Sequence, residues 1–157
     1  MGRGTLLRTA SAVAATAVAG GIATDPASGW YRSLRKPRWQ PPPPAYGLVW
    51  TPLYADLAVA SARALDGLAA AGRSRDARAY RAALAADLVL NAGWNVLFFR
   101  ARRPWLAAVE CGLLTASAAD LVRRTATVDR RAALALAPYP AWCAFATALT
   151  VAIARRN

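Results

Sequence analysis

The chain has 157 residues, of which 57% are hydrophobic and 18% charged, and a net charge of +12. Soluble domains are typically about 45–50% apolar and ~25% charged, so the balance tilts toward a membrane protein, with alanine supplying much of the excess. Histidine is absent, which excludes His-based acid–base catalysis, His-containing triads and His metal sites.

The basic residues fall in short groups: Arg32, Arg35, Lys36 and Arg38; Arg73, Arg75, Arg78 and Arg81; Arg100, Arg102 and Arg103; Arg123, Arg124, Arg130 and Arg131; Arg155 and Arg156. Long apolar runs separate them, the pattern of charged loops bounding membrane spans. A nucleic-acid reader would carry a basic face or tail instead. The charge therefore implies the lipid bilayer as partner, and no nucleic acid.

Five apolar segments follow in chain order, at approximately 6–24, 46–71, 80–99, 105–122 and 132–154. Each is close to the ~20 residues that cross ~30 Å of hydrocarbon. The expectation is an all-α polytopic membrane protein, a single domain over residues 1–157 built as a bundle of five transmembrane helices. Short connections after the second, third and fourth segments make neighbours antiparallel. If the segments alternate, the basic residues divide nearly evenly between the two sides, so the positive-inside rule leaves orientation open.

The first segment has a rival reading. Arg3 and Arg8 flank an apolar run of small residues that resembles a signal peptide, with cleavage near Ala19. The length of the run favours its retention as a helix. Beyond it, residues 25–45 hold Lys36-Pro37 and Pro41 to Pro44, which forbid helix and predict an extended segment outside the bilayer. A loop this long and this aromatic is expected to be ordered or functional. It either anchors Trp30, Tyr31 and Trp39 at the headgroups or folds over the mouth of the bundle as a lid.

In the second segment Trp50 and Tyr54 stand at i, i+4, with Pro52 expected to bend the helix. In the third, Asp87, Asn91 and Asn95 stand at i, i+4 and i+8 as one polar stripe bordered by Trp94. That stripe is either glue between helices or the polar wall of a cavity. In the fifth, Tyr139, Trp142 and Ala146 share a face, and Pro138 bends the chain. Aromatic walls with a few placed amides suit a flat, largely apolar ligand.

Four acids interrupt the apolar segments: Asp56, Asp87, Glu110 and Asp120. A charge at mid-bilayer costs ~2.5–3.5 kcal/mol on insertion scales, so such residues face the bundle interior, water or a partner. Arg123 and Arg124 lie beside Asp120 and offer it pairing, and Arg63 stands seven residues after Asp56. Cys111 and Cys143 both lie in apolar segments and read as small buried hydrophobes, with no disulfide framework or zinc motif.

The pieces WYRSLRKPRWQPPPPAYGLVWTPLY, LVLNAGWNVLFF, RRPWLAAVE, VDRRAALALAPYPAWCAFATAL and the closing RRN together resemble the translocator protein family, also called tryptophan-rich sensory proteins or peripheral-type benzodiazepine receptors. They occur in family order over most of the chain after Thr24. The resemblance implies five transmembrane helices, usually a homodimer, and a pocket for porphyrins such as protoporphyrin IX, sterols and synthetic isoquinoline or benzodiazepine ligands. It carries the family's pocket positions onto Trp50 and Tyr54, onto Asn91, Trp94 and Asn95, onto Tyr139, Trp142 and Ala146, and onto the loop aromatics Trp30 and Tyr31. Asp87 stands where family members often have glutamine, Trp105 where they often have a dimer-contact glycine, and Thr150 where asparagine is frequent. No sterol motif follows Tyr139, since the next basic residue is Arg155.

The function expected is a membrane-embedded binding protein or sensor for porphyrins and related lipophilic ligands. The expected ligand-binding residues are Trp30, Tyr31, Trp50, Tyr54, Asp87, Asn91, Trp94, Asn95, Tyr139, Trp142 and Ala146. No cofactor or metal is expected: without histidine, and with Met1 the only methionine, ordinary haem-iron ligation has no ligands here. The alternatives are a transporter of such molecules and a porphyrin-degrading enzyme. No inverted repeat supports the first and no ordinary catalytic constellation the second. The location implied is a membrane, the bacterial cell membrane.

Overall fold

A computed structural model describes residues 2–157. Every regular element among them is helical. The first, α1, spans Arg3–Ala23 and buries Thr9, Val13, Thr16, Gly20 and Ala23. This alternation of three and four residues is one helical stripe of small side chains, which lets the neighbouring backbones approach closely. Thr9 donates to the carbonyl of Ala58 at 2.8 Å, and Thr5 to Asp66 at 2.7 Å, tying α1 along its length to α3, Pro43–Ala70.

Between them lies α2, a single turn at Gly29–Ser33, whose N-cap Ser28 accepts from the amide of Tyr31. The segment predicted as extended is therefore helical at Gly29–Ser33, between Pro26 and Pro37, and non-helical from there until α3 begins. Pro37 and the prolines from Pro41 onward stop helix only downstream, and Pro43 and Pro44 open α3, since a first-turn amide needs no partner. A Schellman turn ends α3. Gly72 takes φ +68, and the amide of Arg73 donates to the Leu68 carbonyl at 2.9 Å.

Next comes α4, Ser74–Asn95, which runs without a break into a π-helical turn at Val96–Arg100. The Ala101 amide donates back to the Val96 carbonyl at 2.8 Å, the i→i−5 bond that widens the helix. α5 spans Pro104–Ala126. The fifth apolar segment is divided at Ala137 into α6, Arg130–Leu136, and α7, Pro138–Ala154. Pro138 and Pro140 have no amide hydrogen to donate to the carbonyls one turn back, and the Ala137 amide closes a tighter bond to Leu134 at 3.3 Å.

Around the bundle, α3 packs on α1, α1 on α4, α4 on α5, and α5 on α7, while α6 closes back onto α3. The break before α7 matters here. α6 lies firmly against α3, but α7 meets α3 only marginally, so the ring is shut at the α6 end and open at the other. Leu57, Ala60, Ala64, Leu121 and Leu136 fill the shut end.

Among the described residues, four helical stretches are long and apolar enough to cross a membrane: Arg3–Ala23, Ser74–Arg100, Pro104–Ala126 and Arg130–Ala154. The chain is an integral, multi-pass membrane protein on that pattern and on the family membership given below. At 28 residues α3 has the length, but Asp56, Arg63, Asp66 and the Trp50-Thr51-Pro52 step lower its apolarity below that of the others.

Candidate functional site

Where α7 diverges from α3, a cavity of about 440 Å³ remains. Its walls come from the C-terminal end of α1, the first half of α3, the end of α4 and its π turn, the middle of α5, and α7. This is a volume typical of a small-molecule site. Among the described residues no charged side chain lines it. Of the residues singled out from the sequence, Tyr31, Trp50, Tyr54, Asn91, Trp94, Asn95, Trp142 and Ala146 line this space together.

The walls are mostly aromatic. Trp50 stacks on Tyr54 one turn along α3, with centroids 5.1 Å apart, and meets Trp142 of α7 edge-on at 6.4 Å. Trp142 stacks in turn on Phe145 at 5.1 Å. On the other side Trp94 stacks on Phe98 at 5.2 Å. In a regular α-helix Phe98 and Phe99 would diverge by about 100°. On the wider π turn both are buried, at 1% and 9% exposure, in one cluster with Trp30, Tyr31 and Trp94.

The loop lies across the open end. Trp30 packs edge-on against Phe98 at 5.4 Å and Trp39 edge-on against Phe145 at 5.8 Å, and Tyr31 lies tilted against Phe99 at 5.3 Å. Lys36 sits 4.3 Å from the centre of the Tyr31 ring, and Gln40 donates to the Tyr31 hydroxyl at 3.0 Å. Asn157, beyond α7, is fastened to the same loop: it accepts from the Arg35 amide at 2.9 Å and donates to the Arg35 carbonyl at 3.1 Å. Trp30 thus supports the lid through Phe98 and does not itself line the cavity.

A chain of hydrogen bonds leads inward from the cavity wall. The Tyr54 hydroxyl donates to Asn91 Oδ1 at 2.6 Å. Asn91 Nδ2 donates to the Tyr139 hydroxyl at 3.1 Å, and Tyr139 donates to Asp87 Oδ2 at 2.7 Å. Asp87 and Tyr139 are fully buried. They stand behind the wall and not on it, because α4 turns Asp87 one turn deeper into the bundle than Asn91. The i, i+4 stripe gave the correct face but not the depth. Toward the mouth, Asn95 donates to the Asn91 carbonyl at 3.1 Å and accepts from Thr24 at 2.9 Å.

The other intrasegment acids take different roles. Asp120 pairs with Arg123 and Arg124. Arg63 turns from Asp56 to Asp129 at 2.7 Å. Glu110 is 8% exposed and faces Gly93 of α4, with neither carboxylate oxygen hydrogen-bonded. Cys111 and Cys143 are free thiols, and both line the cavity. Among the described residues no cluster could hold a metal ion.

Sequence reasoning missed the α1 wall at Gly20 and Thr24, the π-turn phenylalanines and both cysteines. Gly20 carries a detectable signal in hindsight. A Cβ there would come within 2.9 Å of Asn95 Nδ2, so its bareness makes room for the amide.

A helical membrane protein with an aromatic-walled cavity under an aromatic lid is the class that fold and site define. Residues 9–156 match the TspO/MBR family, and the chain belongs to it. It is 32% identical to the tryptophan-rich protein TspO of Chlorobaculum tepidum, over 84% of this chain and 82% of that one. It is 34% identical to the translocator protein of Homo sapiens, over 82% of this chain and 75% of that one. It is also 31% identical to an uncharacterized membrane protein, YtaB, of Bacillus subtilis, over 82% of this chain and 80% of the relative.

Proposed function

We propose that the protein binds porphyrins and related flat lipophilic molecules in this cavity, as a membrane-embedded sensor or binding protein. The observation that carries the reading is the uncharged, aromatic-walled cavity between Trp50, Trp94 and Trp142. Parallel and edge-on ring faces favour a planar aromatic ligand. The basic groups Arg32, Arg35, Lys36 and Arg38 on the lid supply cations for acidic substituents at the ligand's edge. On this reading α3 is a fifth transmembrane helix, its polar groups tolerated because α1, α4 and α6 surround it.

The test is titration of the purified protein with protoporphyrin IX, followed by tryptophan fluorescence. Saturable quenching is expected. Trp142→Ala removes a ring that contacts Trp50 and Phe145, and the dissociation constant should rise by about tenfold or more. Equal affinity in the variant, or no saturable binding by the wild type, would refute the assignment.

A further inference from the structure

We infer that Asp87 is a positioning residue that fixes the hydrogen-bond polarity of the cavity wall, so that the site selects flat apolar ligands bearing an N–H or O–H donor. This rests on the cavity being a ligand site. Asp87 touches no ligand there. It acts through three intervening side chains.

The hydrogen-bonded chain from Asp87 to Tyr54 carries the constraint. An ionised Asp87 can only accept. A neutral one carrying its proton on Oδ1, the oxygen with no direct partner, still accepts at Oδ2. Either way the Tyr139 hydroxyl spends its single proton on Asp87. Its oxygen must then accept from Asn91, which turns the amide nitrogen toward Tyr139. The oxygen and nitrogen of an amide are told apart by their partners. The Asn91 oxygen is thereby turned toward Tyr54, whose hydroxyl must donate to it. With its proton committed, the Tyr54 oxygen has only lone pairs left for a ligand.

The titratable groups facing Asp87 are Tyr54 of α3, Tyr80 of its own helix, and Tyr139 and Cys143 of α7. None is a cation that could hold the carboxyl in another arrangement. An amide at position 87 removes the constraint. It can donate to Tyr139 as readily as accept, and every bond in the chain can then reverse. Tyr54 would become a donor toward the cavity.

The experiment uses two flat tricyclic probes of similar size, carbazole, which presents an N–H donor, and 9-fluorenone, which presents a carbonyl acceptor. Binding of each to the full-length protein in detergent is measured by equilibrium dialysis. Because an unmatched buried acceptor forfeits a hydrogen bond, the wild type should favour carbazole by about tenfold. In Asp87→Asn the ratio should fall below about threefold, with the loss coming mainly from tighter fluorenone binding. Tyr54→Phe keeps the ring on Trp50 and removes the hydroxyl. It should abolish the preference even if the Asp87 variant does not fold. A merely structural role for Asp87 would weaken both probes together and leave their ratio intact. That result, an undiminished ratio in Tyr54→Phe, or a wild type that binds neither probe overturns the inference. Protoporphyrin quenching in the same preparation separates the two failures: if it persists, the cavity reading stands without the polarity rule, and if it is absent, both fall.

Discussion

Two buried tyrosines divide the work of the interior. Tyr139 carries the polar chain beneath the cavity, whereas Tyr80 serves the shut end. There its hydroxyl meets Thr125 at 2.9 Å and Ser61 at 3.3 Å, bridging α4, α5 and α3. Tyr80→Phe takes this partner from the buried Ser61 hydroxyl, while Thr125 keeps its bond to the Leu121 carbonyl at 2.8 Å, and should cost about 1–2 kcal/mol of stability. The thermal midpoint in detergent should fall while protoporphyrin affinity stays within twofold of wild type, since Tyr80 lies outside the cavity. A matching loss of affinity would show the two ends of the bundle to be coupled. At this scale much of the cavity lining was legible. Trp50 with Tyr54 and Trp142 with Ala146 share a face by helical spacing alone. Asp87 and Tyr139 obey the same spacing, yet they sit behind the wall. Periodicity fixes the direction of a side chain but not how far the neighbouring helices stand away from it.

Among the elements, α6 shows how a short helix is held at its N-terminal end. Asp129 is its N-cap, accepting from the Ala132 amide at 2.9 Å, and pairs with Arg63 of α3 at 2.7 Å. The backbone amide first, and then the Arg63 guanidinium, hold the Asp129 carboxyl below its usual range. A depressed folded-state pKa contributes stability above the ordinary carboxylate value of about 4 and loses it as pH falls through the folded value. Asp129→Asn can still cap but cannot ion-pair. Its thermal midpoint should lie below wild type at neutral pH, and the two should converge only as pH falls below about 4 through the lowered folded value. A gap independent of pH would assign the effect to capping geometry instead. The π turn at the end of α4 and the short helix α2 were not legible. Both depend on tertiary contacts, those of Phe98 and Phe99 with Trp30 and Tyr31, and no local pattern in VLFFR or GWYRS announces them. A bend at Pro138 was legible, but its sharpening into a break was not, since Pro52 sits inside the unbroken α3.

Across the whole molecule, the site exists because a ring of helices is closed at one end by α6 and at the other only by a loop. The C-terminal residue secures that loop: Asn157 makes a reciprocal pair of hydrogen bonds with the Arg35 backbone. Asn157→Ala removes both from an exposed position, so stability should change by less than about 0.5 kcal/mol. The lid, however, loses its fastening to α7. Stopped-flow displacement should show protoporphyrin leaving several-fold faster, and an unchanged rate would mean that the aromatic contacts alone hold the lid.

The proline run before α3 sets the thermodynamic character of that lid. Pro37 and Pro41 to Pro44 lock their own φ angles and restrict the residues before them. A released flexible chain regains conformational freedom worth about 1–2 kcal/mol per residue, but a proline-rich one regains far less. Opening this lid therefore returns little entropy to set against the ring contacts it breaks. The barrier to opening is expected to be mainly enthalpic, so protoporphyrin release should slow steeply on cooling, which release rates measured across temperature would check. When it opens, such a segment is expected to swing as a stiff flap and not to fray as a strand.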